Sequence, residues 1–254
     1  MAVFGEAIFG HVGEYKARVY SAQYVRSEDG RHHLVNAGGL TEQDTLNKMF
    51  GRISIGPQND SAFVLALNTE MKGYSWAVRT GHQTNSRVSG GYCHAVHSES
   101  KLSSMHEIDS FLYFPFIPDG DYCVSLIRNP GSFNAQDRWQ RNMQSVSVLR
   151  DNYNEELGRP LNIPAELMKR LTAYIISQSS VNSRQYLYIR VPDRAPYEAY
   201  CLAALHDILS HIPAGLRAGI SAATNCLPQE EQYFGIIFQR ASFPARHETD
   251  ISLH

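Results

Sequence analysis

Long apolar runs, clustered charge and paired cysteines are all missing from this chain of 254 residues. No segment approaches the roughly 18 consecutive apolar residues that a membrane-crossing helix needs. Lys and Arg (23) nearly balance Asp and Glu (25), for a net charge of −2, and no basic run stands out. A nucleic acid or an anionic membrane surface is therefore not an expected partner. The four cysteines, Cys93, Cys123, Cys201 and Cys226, form no CxxC pair. The opening "MAVFGEAIFGHVGEYKARVY" has no basic first region, and Glu6, His11 and Glu14 interrupt its apolar residues, so it does not read as a signal peptide. The expectation is a cytoplasmic protein with reduced, buried thiols.

The short signatures of common chemistries are missing too. There is no GxxxxGK[ST], no GxSxG and no HExxH, and "GHVG" is too short for a dinucleotide fingerprint. Acidic residues are not grouped as a Mg²⁺ site would require. No cofactor and no metal are expected. Catalysis by residues distant in sequence stays open, because triads assemble in space.

What is present is an ordinary globular composition, 43% hydrophobic and 19% charged. The chain reads as α+β. "AVFGEAIFGHV" and "YKARVYSAQYV" are strands around Gly13-Glu14, a hairpin. "RSEDGRHHLVNAGG", with His32-His33, reads as a polar loop, and a short helix follows Thr41. "SAFVLALNTE" and "GYSWAVRTGH" are two more strands, and 91–98 is another. Ser103 or Ser104 starts a helix through Met105, Ile108, Phe111 and Leu112. The aromatic run "FLYFPF" that ends it is core or, if exposed, a docking patch. "DGDYCVSLIRN" reads as a strand, and the stretch from Ser132 to Gly158 has only weak helical periodicity.

The last third alternates. A helix begins at Pro164, "RQYLYIRV" is a strand, and Pro196 opens the strongest helix, with Cys201, Leu202, Leu205, Ile208, Leu209 and Ile212 on its apolar face. "AGISAATN" and "QYFGIIFQR" follow as strands, which implies a mixed α/β layer containing a strand parallel to its neighbours. The expected organisation is an antiparallel β-rich subdomain over 1–117, a connecting region over 118–163, an α/β subdomain over 164–245 and a tail over 246–254.

The stretch "RVSGGYCHAVHSES" gathers the candidate chemistry. Adjacent residues of a strand point to opposite faces, so Cys93 and His94 do not form a nucleophile–base pair. His94 and His97 also fall on opposite faces, and HxxH on a strand is the wrong spacing for a metal. A half-buried strand is one reading. A site using His94 is the other. Arg79 and Arg87 flank the polar loop before it and could hold a carboxylate or phosphate, or simply pack over aromatic neighbours.

Three stretches together resemble a known family. They are the opening "EAIFGHVGEYKARVYSAQ", the middle "WAVRTGHQTNSRVSGGYCHAVHSES" and the late "LAALHDILSHIPAGLRAGISAATN". Their order resembles the amino-terminal domain of the GTPase-associated adaptor proteins of bacterial conflict (anti-invader) systems. The matching positions are Arg79, Arg87, Gly91, Tyr92 and His94, then Pro213, Arg217 and Thr224. Ile212-Pro213 and Ala222-Ala223 depart from the family pattern. The resemblance implies a binding or regulatory module coupled to a GTPase or another NTPase, and it implies no known catalytic activity; the adaptor reading also expects an apolar or aromatic surface patch or a dimer face, with self-association. Arg79, Arg87, Tyr92 and His94 would be its binding residues. The competing expectation is a hydrolase or transferase acting on an anionic small molecule, with His94 as general acid or base and Arg79 and Arg87 as anion holders.

Overall fold

A computed structural model describes residues 3–12, 15–26, 32–37, 64–71, 74–82, 90–98, 101–117, 120–129, 145–158, 161, 163–180, 187–224, 234–242 and 251–252. The protein is α+β, as its sequence implies. The strands are β1 (Val3–Val12), β2 (Tyr15–Arg26), β3 (His32–Ala37), β4 (Val64–Met71), β5 (Tyr74–His82), β6 (Gly90–Ser98), β7 (Leu187–Val191), β8 (Ser221–Thr224), β9 (Ile236–Arg240) and β10 (Ile251–Ser252). The helices are α1 (Met105–Leu112), α2 (Gly120–Arg128), α3 (Val146–Leu157), α4 (Ala165–Ser180), α5 (Tyr197–His211) and α6 (Ala214–Arg217).

All ten described strands form one sheet in the order β10-β7-β9-β8-β4-β5-β6-β1-β2-β3. From β4 to β3 every pairing is antiparallel. At the other end β9 lies between β7 and β8 and runs parallel to both. The antiparallel pair β4–β8 joins the two wings. Ile251 and Ser252, in the expected tail, add a short parallel edge beside Ile189 and Arg190.

Two expectations are corrected. Residues 32–37 are not loop but strand, paired with β2 from Arg26↔His32 to Ala22↔Ala37. A short edge strand has one partner only, so a polar sequence such as "HHLVNA" can form it. Residues 120–128 are helix, not strand. Cys123 and Leu126, three apart, are buried, while Tyr122, Ser125 and Arg128 are exposed. That one-in-three burial is the helical period, and a short apolar run does not reveal it. The expected helix after Thr41 lies outside the described residues.

Local signals act where the sequence places them. Ser104 caps α1 in a capping box, its hydroxyl accepting from the Glu107 amide while the Glu107 carboxylate accepts from the Ser104 amide. Ser145 caps α3, which ends at Gly158 in the left-handed region (φ 68°).

One face of the sheet carries Ile8, Ala77, Val96, Ile189, Ala222 and Ile236. It shares a single core with Phe111, Leu126, Leu171, Leu205 and Leu209 of the helices. Ala7, Trp76, Val78, Ala95 and Ile237 are buried on the opposite face, and Phe234 stands edge-on to Trp76 at 6.4 Å between ring centres. "FLYFPF" belongs to the core, with Phe111, Tyr113 and Phe114 all buried.

Candidate functional site

Strand β6 lies between β5 and β1. Its register sets Arg79 on one side of His94 and Ile8 on the other, so the three share the helix-covered face. Glu6, two residues before Ile8, falls on that face as well. It reaches diagonally to His94, with Glu6 Oε1 and His94 Nε2 2.5 Å apart. The other imidazole nitrogen, Nδ1, accepts the backbone N–H of Ile117 at 3.1 Å. A nitrogen that accepts carries no proton, so the proton sits on Nε2 and is donated to Glu6.

Neither side chain reaches solvent. Phe114 and Phe116 close over the ring edge-on, at 5.6 and 5.1 Å, and they meet each other at 4.9 Å. The aromatic run after α1 therefore forms a lid over a buried histidine–carboxylate pair. His97 lies on the other face, beside Gly5 and Trp76 in register. Burial lowers its pKa to about 4. Strand parity thus separates the two histidines, as the sequence implies.

Arg79 shares a face with His94 and forms an ion pair with α5. Its Nη2 is 3.4 Å from Glu198 Oε2 on α5. Glu198 Oε1 accepts the Tyr153 hydroxyl proton at 2.7 Å. Burial first, and the Glu198 charge second, push the Tyr153 pKa far upward, so this phenol keeps its proton. The Tyr113 ring stands between Tyr153 (6.2 Å) and His206 (6.0 Å), and burial, then the Asp109 charge, raises its pKa too. His206 Nδ1 is 2.9 Å from Asp109 Oδ1. A half-buried polar seam thus runs along α5 through Arg79, Glu198, Tyr153, Tyr113, His206 and Asp109.

Arg87 lies outside the described residues. Tyr92 is in β6 opposite Gly10 and Gly81, with its side chain outside them. Cys123 and Cys201 are buried and form no disulfide. Among the described residues, no group of three His, Cys, Asp or Glu side chains is placed to hold a metal. No described helix is long and apolar enough to cross a membrane.

The late residues of the resemblance serve the architecture. Pro213 precedes α6 and Thr224 is buried in β8. Arg217 donates to the carbonyls of Leu209 (2.8 Å), Ser103 (3.1 Å) and Ser210 (3.2 Å), tying the end of α5 to the segment before α1.

Sequence reasoning missed Glu6 as the partner of His94, and missed Glu198, Tyr153 and the Asp109–His206 pair. One signal for Glu6 was there: a lone carboxylate at the same strand parity as Ile8, on a face that must be buried. Nothing local points from Tyr153 to Glu198, which are 45 residues apart. Chemically, the Glu6–His94 pair can hold and move a proton, but no solvent-borne molecule touches it. In the seam the Arg79 charge is already met by Glu198. Compared with known proteins, the chain matches no family model, no curated protein and no solved structure.

Proposed function

We propose that this protein is a non-enzymatic binding or regulatory module, an adaptor that works with a GTPase or another NTPase in a bacterial defence system. The observation that carries the non-enzymatic part is the state of His94. Both ring nitrogens are engaged, by Glu6 and by the Ile117 amide, beneath two phenylalanines. A general base must reach the proton it abstracts, and this imidazole reaches only protein. The alternative, a hydrolase or transferase using His94 with Arg79 and Arg87 on an anionic substrate, requires those side chains to converge in an open pocket. The burial of His94 and the ion pair of Arg79 with Glu198 weigh against it.

The partner class rests on the resemblance of the three sequence stretches. Its residues that the structure describes are built into the sheet and the α5–β8 connection, where they maintain the fold of a module. The test is copurification of the tagged full chain from its native host, followed by nucleotide hydrolysis assays with and without the chain. An NTPase should copurify, its turnover should change when the chain is added, and the chain alone should hydrolyse neither nucleotides nor phosphate esters. A chain that recovers no NTPase and does not self-associate, or that turns over such substrates by itself, overturns the reading.

A further inference from the structure

The hydrogen bonds of His94 set its charge state against the position of the segment that covers it. With the proton on Nε2 donated to Glu6, Nδ1 is the one site left for a second proton, and Nδ1 is held by the Ile117 N–H. Two N–H groups cannot share one acceptor position. A doubly protonated imidazole and the Ile117 bond therefore exclude each other.

We propose that His94 is a proton-operated latch. Neutral, it holds the 113–117 segment on the sheet. When the segment lifts transiently, a proton from solvent binds Nδ1 and makes the imidazolium; the Ile117 amide then has no acceptor there, and the segment stays released. The step is a single protonation, with no other covalent bond made or broken and one hydrogen bond, from the Ile117 amide, lost.

The surroundings make release consequential. Phe114 and Phe116 pack on the imidazole, so lifting Ile117 unseats both rings. Tyr113, one residue before Phe114, packs against Tyr153 and His206 and would transmit the movement into the half-buried seam along α5. The titratable and charged groups around His94 on the described elements act unequally. Glu6 on β1 meets Nε2 directly and favours the charged ring. Arg79 on β5 is the cross-strand neighbour and disfavours it, with its own charge drawn to Glu198. Cys123 on α2 is buried in the same core. Tyr113 packs against Tyr153 and His206, and His97 lies on the opposite face of the sheet. Glu6 thus promotes opening of the latch and the Ile117 amide opposes it, which is the balance a two-position device needs.

The experiment is a pH titration of the full chain with ¹⁵N-labelled histidine, read together with hydrogen exchange at the Ile117 amide. At neutral pH His94 should show the tautomer protonated at Nε2. On acidification its second protonation and the loss of Ile117 protection should share one midpoint, while the Leu187 amide, bonded to the Gly235 carbonyl in the other wing, stays protected. The Glu6→Gln variant should shift that midpoint to lower pH. An Nδ1-protonated tautomer overturns the latch, as does an Ile117 amide still protected once the ring is charged. So does loss of Ile117 protection only together with Leu187, or a midpoint that Glu6→Gln leaves in place.

Discussion

Arg79 stands directly across the β5–β6 pair from His94, yet its guanidinium reaches 3.4 Å to Glu198 on α5. Two residues that share a register position and a face each meet a different carboxylate, Glu6 and Glu198. His94 belongs to a dry pair with Glu6, and Arg79 to a half-exposed seam. The face thus carries one buried histidine–carboxylate pair beside one half-buried ion pair.

Removing the buried histidine should be expensive. His94→Ala deletes the partner of a buried carboxylate, orphans the Ile117 amide and leaves a cavity under two phenylalanines. The expected loss is about 3–5 kcal/mol. Glu6→Gln keeps an oxygen acceptor for the Nε2 proton and should lose less, about 1–2 kcal/mol. Urea unfolding at pH 7 compares them, and a Glu6→Gln loss equal to that of His94→Ala would show that the amide does not replace the carboxylate as the partner of Nε2.

His97 makes stability depend on pH. Burial lowers its folded pKa to about 4 from 6.5. Above pH 6.5 neither the folded nor the unfolded state is charged there, and stability is complete. As pH falls, the unfolded chain binds a proton that the fold refuses, so stability declines until about pH 4, where the folded state takes the proton too. The 2.5-unit gap corresponds to about 3 kcal/mol. Denaturant titrations between pH 7 and 4 should show this slope, and His97→Gln should remove its share.

Gly5 gives His97 its room. A Cβ at Gly5 would lie 2.3 Å from His97 Nε2 and 2.5 Å from Cε1. Gly5→Ala must displace the His97 ring, at roughly 1–3 kcal/mol. With His97→Ala in the background the clash disappears. The double-mutant cycle should therefore show a coupling of similar size, and additive losses refute the contact.

Arg217→Lys tests geometry at constant charge. The guanidinium spans three carbonyls, of Leu209, Ser210 and Ser103. An ammonium keeps the favourable charge at the end of α5 but cannot span all three. A loss of about 1–2 kcal/mol in thermal unfolding is expected, and an unchanged melting temperature would show that the clamp adds nothing.

Much of the fold was legible because it is written in local patterns. Strand-like segments marked β4, β5 and β6, Ser103 or Ser104 followed by apolar residues at helical spacing marked α1, and three- and four-residue steps marked α5. Parity alone placed His94 and His97 on opposite faces. The misses share a cause. Residues 120–128 are too few for strand and helix periods to be told apart, and β3 is a strand because β2 offers it an edge. The candidate site was half legible. His94 and Arg79 stood out as chemistry-bearing residues near one another, while their true partners, Glu6 and Glu198, are distant in sequence and carry no motif.

By itself, then, the sequence determined the α+β class, most element positions and the face on which each strand residue sits. These follow from backbone geometry and burial, which act over a few residues. Only the tertiary structure decided what surrounds His94. Its tautomer depends on an amide 23 residues away, its proton goes to a carboxylate 88 residues away, and its isolation from water depends on an aromatic turn closing over it. Those are contacts between distant segments, and no local pattern encodes which of them form.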